Sequence, residues 1–314
     1  MTIAYSGGTN NLTPNLALTS MITAELHLLL SDTQNLRNSI YIDYAGSVNG
    51  LGTPVIKYRK VGLGGRDLFL DAATELSAEA TATALTNSSV DITVARKYLN
   101  REISDLATMI SFGDPIDPFV LAEDMAASYE AKFADMTADA CSNFTTIKGG
   151  NTSGFSVDLF FDGIFALEQA DSDRGAPPPY AAVLHPKALA EFQDSLRNEV
   201  SNVIAMAPAS MEMVKAKGQG FVGDILGVSV YRSSFVNEAG SAKENWMMAT
   251  KALAYADGAP QIVGAAQVME LPDAKCVVEM DRKSQSATSL IVGHCYLGLS
   301  VVSDERGVLL KSKA

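Results

Sequence analysis

Apolar and polar positions along the chain change texture three times. Between 117 and 144, Leu121, Met125, Tyr129, Phe133, Met136, Ala140 and Phe144 recur at steps of four or three, one continuous apolar stripe that predicts a long amphipathic helix. Asp117 supplies an N-cap and Pro118 a preset first turn; at 1.5 Å per residue the span reaches about 40 Å. Before it, Val55, Ile56, Tyr58 and Val61 predict one strand, and the alternation of Val90, Ile92 and Val94 a second. Between them lie Gly62, Gly64 and Gly65 and the Ala- and Thr-rich "DAATELSAEATATALTNSS", which offers few large side chains to pack. Residues 46–99 thus read as a long two-stranded excursion, marginal in water unless it lies on something else. Ahead of it, Ile22, Leu26, Leu29, Leu30 and Leu36 have helical spacing, and residues 1–20, with no charged side chain, read as an arm.

From Ser156 onward the elements alternate irregularly. "VDLFFDGIFALEQAD" reads as a helix, "YAAVL" after the "APPP" turn as a strand, 186–200 and 209–217 as helices, and 227–236 as a strand. "WMMATKALAYA", "KCVVEMDRK", "ATSLIVGHCYLGLSVV" and "RGVLLKS" add further strands. This order predicts an α+β fold with a mixed or antiparallel sheet.

The 314 residues predict one large domain or two interlocked ones. With 47% hydrophobic residues, 19% charged and a mean hydropathy of +0.10, much apolar surface must be buried, part of it between subunits. A net charge of −12 argues against a nucleic-acid groove or an anionic membrane surface, both of which need clustered Lys and Arg. Contact with nucleic acid as a container wall remains compatible. Cys141, Cys276 and Cys295 have no Cys-x-x-Cys spacing and read as reduced small hydrophobes in a cytosolic protein. No stretch has the length of a membrane span, and "AELHLLLS" is too short for one and lacks the basic flank of a signal peptide. The sequons at Asn11, Asn87, Asn143 and Asn151 therefore carry no glycosylation signal.

Candidate chemistry is sparse. His185 ends a predicted strand and opens a helix, where a general base would sit; no G-x-S-x-G accompanies it, and its ring is placed to cap that helix. His27 and His294 lie within apolar periodic segments, and no H-x-x-H or H-E-x-x-H spacing supports zinc. "GLGGRD" and "GQGFVGDILG" lack the Gly-Lys-Ser/Thr of a nucleotide loop, and neither sets G-x-G-x-x-G between a predicted strand and helix. Glu123, Asp124, Glu130, Asp135 and Asp139 read as a solvated or partner-facing helix surface. No catalytic, cofactor-binding or metal-ligating set emerges, so the chain reads as a non-enzyme without cofactor.

A flexible arm, a strand excursion with little core of its own and a rod-like helix each bury surface better between subunits than within one. In that order, with "YAAVLHPKALAEFQDSLRN", "GFVGDILGVSVYRSSFV" and "CYLGLSVVSDERGVLL" following, the chain resembles a tailed-phage major capsid protein of the Hong Kong 97 fold. The resemblance implies an N-terminal arm at 1–45 and an extended E-loop hairpin at 46–99. It implies a peripheral domain at 100–155 and 256–314, with the spine helix and a β-sheet, and an axial domain at 156–255 with a central sheet flanked by helices. It further implies self-assembly through hexamers and pentamers into an icosahedral virion shell, formed in the host cytoplasm, that encloses double-stranded DNA without sequence-specific binding or membrane contact. A separate scaffolding protein and a portal are expected, since little precedes the helical arm; no residue pair is identified for crosslinking between subunits. An encapsulin-type nanocompartment is the same-fold alternative, and a soluble α+β enzyme using His185 the alternative of another class.

Charge adds one constraint. From 46 to 66 the chain carries Lys57, Arg59, Lys60 and Arg66 and no acid, whereas 117–144 carries six acids and the single base Lys132. An E-loop lying on a neighbour's spine helix would pair the two, with Lys57, Arg59, Lys60, Arg66, Leu68 and Phe69 on one side and Glu123, Asp124, Glu130 and Asp135 on the other.

Overall fold

The computed structural model describes residues 40–61, 87–110, 118–170, 176, 178–199, 207–208, 220–258, 276–283 and 286–314. The expected arm helix at 22–36, the Gly62 to Gly65 turn, Arg66, Leu68, Phe69, the Asp117 cap, the helix at 209–217 and His27 lie outside them.

The chain enters as β1 (Ile42–Ser47), runs out and back as β2 (Val55–Val61) and β3 (Asn87–Thr93), and passes directly into β4 (Ala95–Ser104). A short helix α1 (Asp105–Ile110) precedes the long helix α2 (Pro118–Cys141). Then come β5 (Ile147–Gly149), α3 (Val157–Glu168), β6 (Tyr180–Leu184), α4 (Pro186–Glu199), β7 (Ala207–Pro208), β8 (Phe221–Ile225) and β9 (Val228–Arg232). β10 (Glu238–Ala239), β11 (Ala242–Met248), β12 (Leu253–Gly258), β13 (Cys276–Lys283), β14 (Thr288–Val301) and β15 (Gly307–Lys313) complete the chain. The fold is α+β, as the irregular alternation predicts.

β14 organises a five-stranded sheet: β4 lies along one of its edges, β13 and then β12 along the other, and β1 runs parallel to β12. An eight-stranded mixed sheet has the order β5-β15-β11-β6-β9-β8-β7, with β10 beside β11. β2 and β3 form a separate antiparallel ribbon.

The apolar stripe of α2 explains how the sheets are joined. Met125, Tyr129, Phe133, Ala138 and Cys141 are buried in one cluster with Ile291, Leu297 and Leu253 of the first sheet and Ala181, Trp246 and Leu309 of the second. The helix lies so close to β14 that a Cβ on Gly293 would sit 3.3 Å from the Met125 sulfur, and Phe133 meets Tyr255 edge to face at 5.7 Å. With 24 residues α2 is about 36 Å long. It stops three residues short of the predicted end because the Ser142 hydroxyl and the Asn143 amide bond the carbonyls of Ala138 and Asp139, competing with the backbone ladder. Phe144 still belongs to the core, folded back from the turn.

On the other face of the eight-stranded sheet, α3 and α4 close a second core built on Phe155, Phe160, Phe192, Met247 and Leu310. Ser156 caps α3 by accepting from the Leu159 amide at 3.3 Å. β6 is buried along its whole length, as expected of a strand covered on both faces.

Four assignments differ from the sequence expectation. Residues 42–45, expected in the arm, belong to β1, and 95–99, expected in the excursion, pair with β14 as part of β4. "WMMATKALAYA" divides into β11 and β12, in different sheets; the chain crosses between them through Lys251 at φ 55°, and Arg306 ties the crossing by donating to the Thr250 carbonyl. β15, expected with 256–314 in the peripheral unit, pairs instead with β11 and β5, because Val308, Leu309 and Leu310 are buried on both faces and require a central position.

A Cβ on Gly298 would lie 2.4 Å from the Thr93 carbonyl oxygen, a backbone atom fixed by the crossing of β3 over β14. A Cβ on Gly258 would crowd the end of the Val48 side chain, at 2.7 Å, with Tyr296 and Asn49 at ordinary contact distance. Gly298→Ala is therefore expected to lower the unfolding free energy by about 1 to 3 kcal/mol, with Gly258→Ala clearly milder; denaturant melts of both variants measure the contrast.

Candidate inter-subunit surface

The β2–β3 ribbon is apolar at its root and basic on its outer face. Register sets Ile56 opposite Ile92 and Tyr58 opposite Val90; Ile56 and Ile92 are buried with Val94, Ala254, Ala256 and Val302 on the five-stranded sheet. The root is tied by Val94 N–H to the Pro54 carbonyl (2.8 Å) and Val48 N–H to the Asp257 carbonyl (3.0 Å). Tyr58 donates to Asp43 Oδ2 at 2.5 Å, and Lys251 Nζ lies 3.2 Å from the same oxygen. Partial burial would raise the Asp43 carboxyl, but these two partners hold it below its usual range. Burial and the adjacent carboxylate push the Tyr58 phenol up to about 12.

Alternation then turns Lys57 and Arg59 outward, both exposed. Lys60 stands opposite Ser88 in the register and Lys57 opposite Asp91, an acid beyond the 46–66 stretch. The ribbon face is basic but not purely so.

The structure changes the acid count on α2 more. Asp124 is held by Arg101 of β4 through two hydrogen bonds of 2.7 and 2.9 Å, and Asp135 pairs with Lys132 one turn away. Asp139 accepts from Asn237 at 3.0 Å. Glu123 is exposed and Glu130 half-buried. Asp124 and Asp135, expected to serve a partner, thus spend their charge on cations of their own chain. Nothing in the local sequence signals Arg101, which reaches α2 only because β4 lies along β14.

His185 behaves as the sequence reading expects. Its Nδ1 accepts from the Lys187 amide (3.2 Å), its carbonyl takes the Leu189 amide as the first bond of α4, and its own amide donates to Asn245 Oδ1 (2.8 Å). Burial and the nearby Lys243 lower its affinity for a proton, Lys187 adding to the effect against Glu238. Among the described residues no group of three or more His, Cys, Asp or Glu is placed to hold a metal ion, and no helix is long and apolar enough to cross a membrane.

Capping predicts a pH signature with a definite sign. A neutral ring accepts the Lys187 N–H; a protonated one presents a donor and loses the bond. The folded state favours the neutral form, so this contribution is present above the unfolded histidine's titration and is lost as pH falls from there through the lower folded-state titration. His185→Ala is expected to cost about 1 kcal/mol at pH 8, the gap to wild type closing on acidification; melts across pH test it.

No protein-family model and no curated protein sequence matches the chain. Solved structures do. The capsid of Ralstonia phage GP4 aligns with 90% of this chain and 90% of its own at a TM-score of 0.57 and 12% identity. A chain of Mycobacterium phage Che8 aligns over 88% and 90%, with TM-score 0.54 and 17% identity. The SrpI encapsulin complex of Synechococcus elongatus aligns over 83% and 81%, with TM-score 0.53 and 11% identity. At such identities what is shared is the path of the backbone: long helix, two sheets and projecting ribbon form the Hong Kong 97-type capsid fold.

Proposed function

We propose that this chain is the major capsid protein of a tailed phage, a structural subunit that assembles with copies of itself into a closed shell around double-stranded DNA. The observation that carries the reading is the β2–β3 ribbon: anchored by a small apolar root and basic on its outward face, it is built to be completed by another subunit. The capsid of Ralstonia phage GP4, matched over nine-tenths of both chains, supports the same reading.

On this reading α2 and the five-stranded sheet form the peripheral unit, and the eight-stranded sheet with α3 and α4 the axial unit. Residues 1–39 act as the arm, and the stretch from 48 to 94 as the E-loop lying on a neighbour. Lys57, Arg59, Lys60 and Arg66 then face Glu123 and Glu130 of the adjacent α2, with Leu68 and Phe69 adding apolar contact. Asp124 and Asp135 contribute through their intrachain pairs, which fix Arg101 and Lys132. Each exposed pair adds only about 0.2 to 1 kcal/mol, but the contact recurs at every subunit boundary. An acidic chain also suits a container, since a wall that bound DNA tightly would hinder its packaging and release. A separate scaffolding protein and a portal complete the assembly in the host cytoplasm, and the protein needs no cofactor and no catalytic residue.

Sedimentation and negative-stain microscopy of the purified protein are expected to show closed shells, rings or tubes, and particles from infected cells to contain DNA. A cargo protein in place of nucleic acid would favour the nanocompartment, and a small oligomer under all conditions, scaffold included, would overturn the shell. The triple substitution Lys57→Glu, Arg59→Glu and Lys60→Glu is expected to abolish shells while leaving the thermal midpoint of the free subunit unchanged; normal particles from it would refute the charge pairing.

A further inference from the structure

The register of β13 on β14 sets two cysteines directly opposite each other. Its pairs run from Lys283 with Thr288, beside the turn, to Cys276 with Cys295, the last pair before the strands part. At the next position of β14, Tyr296 pairs with Gly258 and β12 takes over. The two cysteines therefore stand at a seam, where the edge of β14 passes from one partner strand to another. Opposed residues of an antiparallel pair share a face of the sheet, with Cα atoms roughly 4.5 or 5.5 Å apart. Both distances fall inside the span of roughly 4.4 to 6.8 Å that a disulfide bridges.

The surroundings of the pair differ from those of the third cysteine. Cys295 belongs to the core cluster beneath α2 with Met125, Tyr129 and Ile291, and Val278, two positions along β13 from Cys276, is buried in the same cluster. Cys295 also borders a cavity of about 360 Å³ that has Tyr129, Lys97 and Lys132 on its wall, which gives a small solute an approach to it. The two lysines favour an anionic visitor. Cys141, by contrast, is wholly buried at the end of α2, and burial pushes its thiol well up, away from the reactive thiolate. Position and environment thus single out the cross-strand pair.

We propose that Cys276 and Cys295 form an oxidation-dependent crosslink that clamps β13 to β14. With a small disulfide such as oxidised glutathione as the oxidant, the Cys295 thiolate attacks one of its sulfurs, the reagent's S–S bond breaks, and one glutathione thiolate leaves. The Cys276 thiolate then attacks the Cys295 sulfur of the mixed disulfide and expels the second glutathione. Two protein thiols lose two electrons, the reagent is reduced to two thiols, and the two cysteine protons end on them. The new bond ties the open end of the β13–β14 hairpin, where fraying starts; the turn already holds the other end. In a reducing cytosol the pair stays as thiols. The consequence rests on the shell reading: the clamp closes in every subunit once the particle has left the cell.

The full chain, folded and exposed to oxidised glutathione, is then denatured, alkylated and analysed by peptide mass spectrometry without reduction. The expected product is a pair of peptides joined through Cys276 and Cys295, two hydrogens lighter than its parts, with Cys141 alkylated. Alkylated Cys276 and Cys295, glutathione retained on either, or linkage to Cys141 as frequent as linkage within the pair overturns the crosslink. Oxidation is expected to raise the thermal midpoint by about 5 °C, dithiothreitol to cancel the rise, and Cys276→Ala to show none; equal midpoints for oxidised and reduced wild type overturn the clamp. Should Cys276→Ala fail to fold, the wild-type comparison decides alone. In shells, oxidation is expected to slow subunit release in guanidinium about tenfold, and equal rates would overturn the consequence for the particle. Absence of shells under every condition would instead refute the proposed function, leaving the crosslink to be decided on the free subunit.

Discussion

Everything in the molecule depends on one apolar stripe serving two sheets at once. Met125 lies over Gly293, Phe133 against Tyr255, and the end of α2 meets Asn237 and, through Phe144, Gly307. The first two contacts belong to the five-stranded sheet and its neighbourhood, the last two to the loop before β10 and the start of β15. A large buried side chain contributes about 1.5 to 3 kcal/mol, so the stripe as a whole is comparable with the net stability of a domain. Without it the two sheets would share little beyond the crossings at 249–252 and 302–306. The helix is long because it spans both, which is why a compact reading of the sequence leaves it without a purpose.

The ribbon shows the opposite economy. Its apolar side chains end at Ile56, Ile92 and Val94, where Ala254 and Ala256 present a flat, small-residue floor. Small residues there and glycine at 298 let a backbone cross the sheet at contact distance. Beyond that root the strands offer Lys57, Arg59 and Ser89, all exposed. A two-stranded ribbon of this composition is marginal on its own, and the proposed shell gives its outer half a neighbour to lie on.

Legibility followed the range of the interactions. The α2 stripe, the β2 and β3 alternations, the continuous apolar run of β6 and the His185 cap were readable because each is set by residues within a few positions of one another. The division of "WMMATKALAYA" was not: Met247 and Leu253 are equally apolar, and only their pairing, with β6 and β15 on one side and β14 on the other, separates them into two sheets. β15 misled for the same reason. The acids of α2 were found but their partners were not, since Arg101 is brought to Asp124 by strand register and by no local pattern.

The two described histidines make the contrast sharpest. His185 stands where local grammar draws attention, between a strand and a proline, and its ring and carbonyl serve two amides at the start of α4. His294 sits in an unremarkable apolar strand, yet register delivers Arg96 to its ring from 198 positions away in sequence and Glu279 from the neighbouring strand. A contact of that kind is a property of the sheet rather than of any segment, set by the strand around which the five-stranded sheet is built.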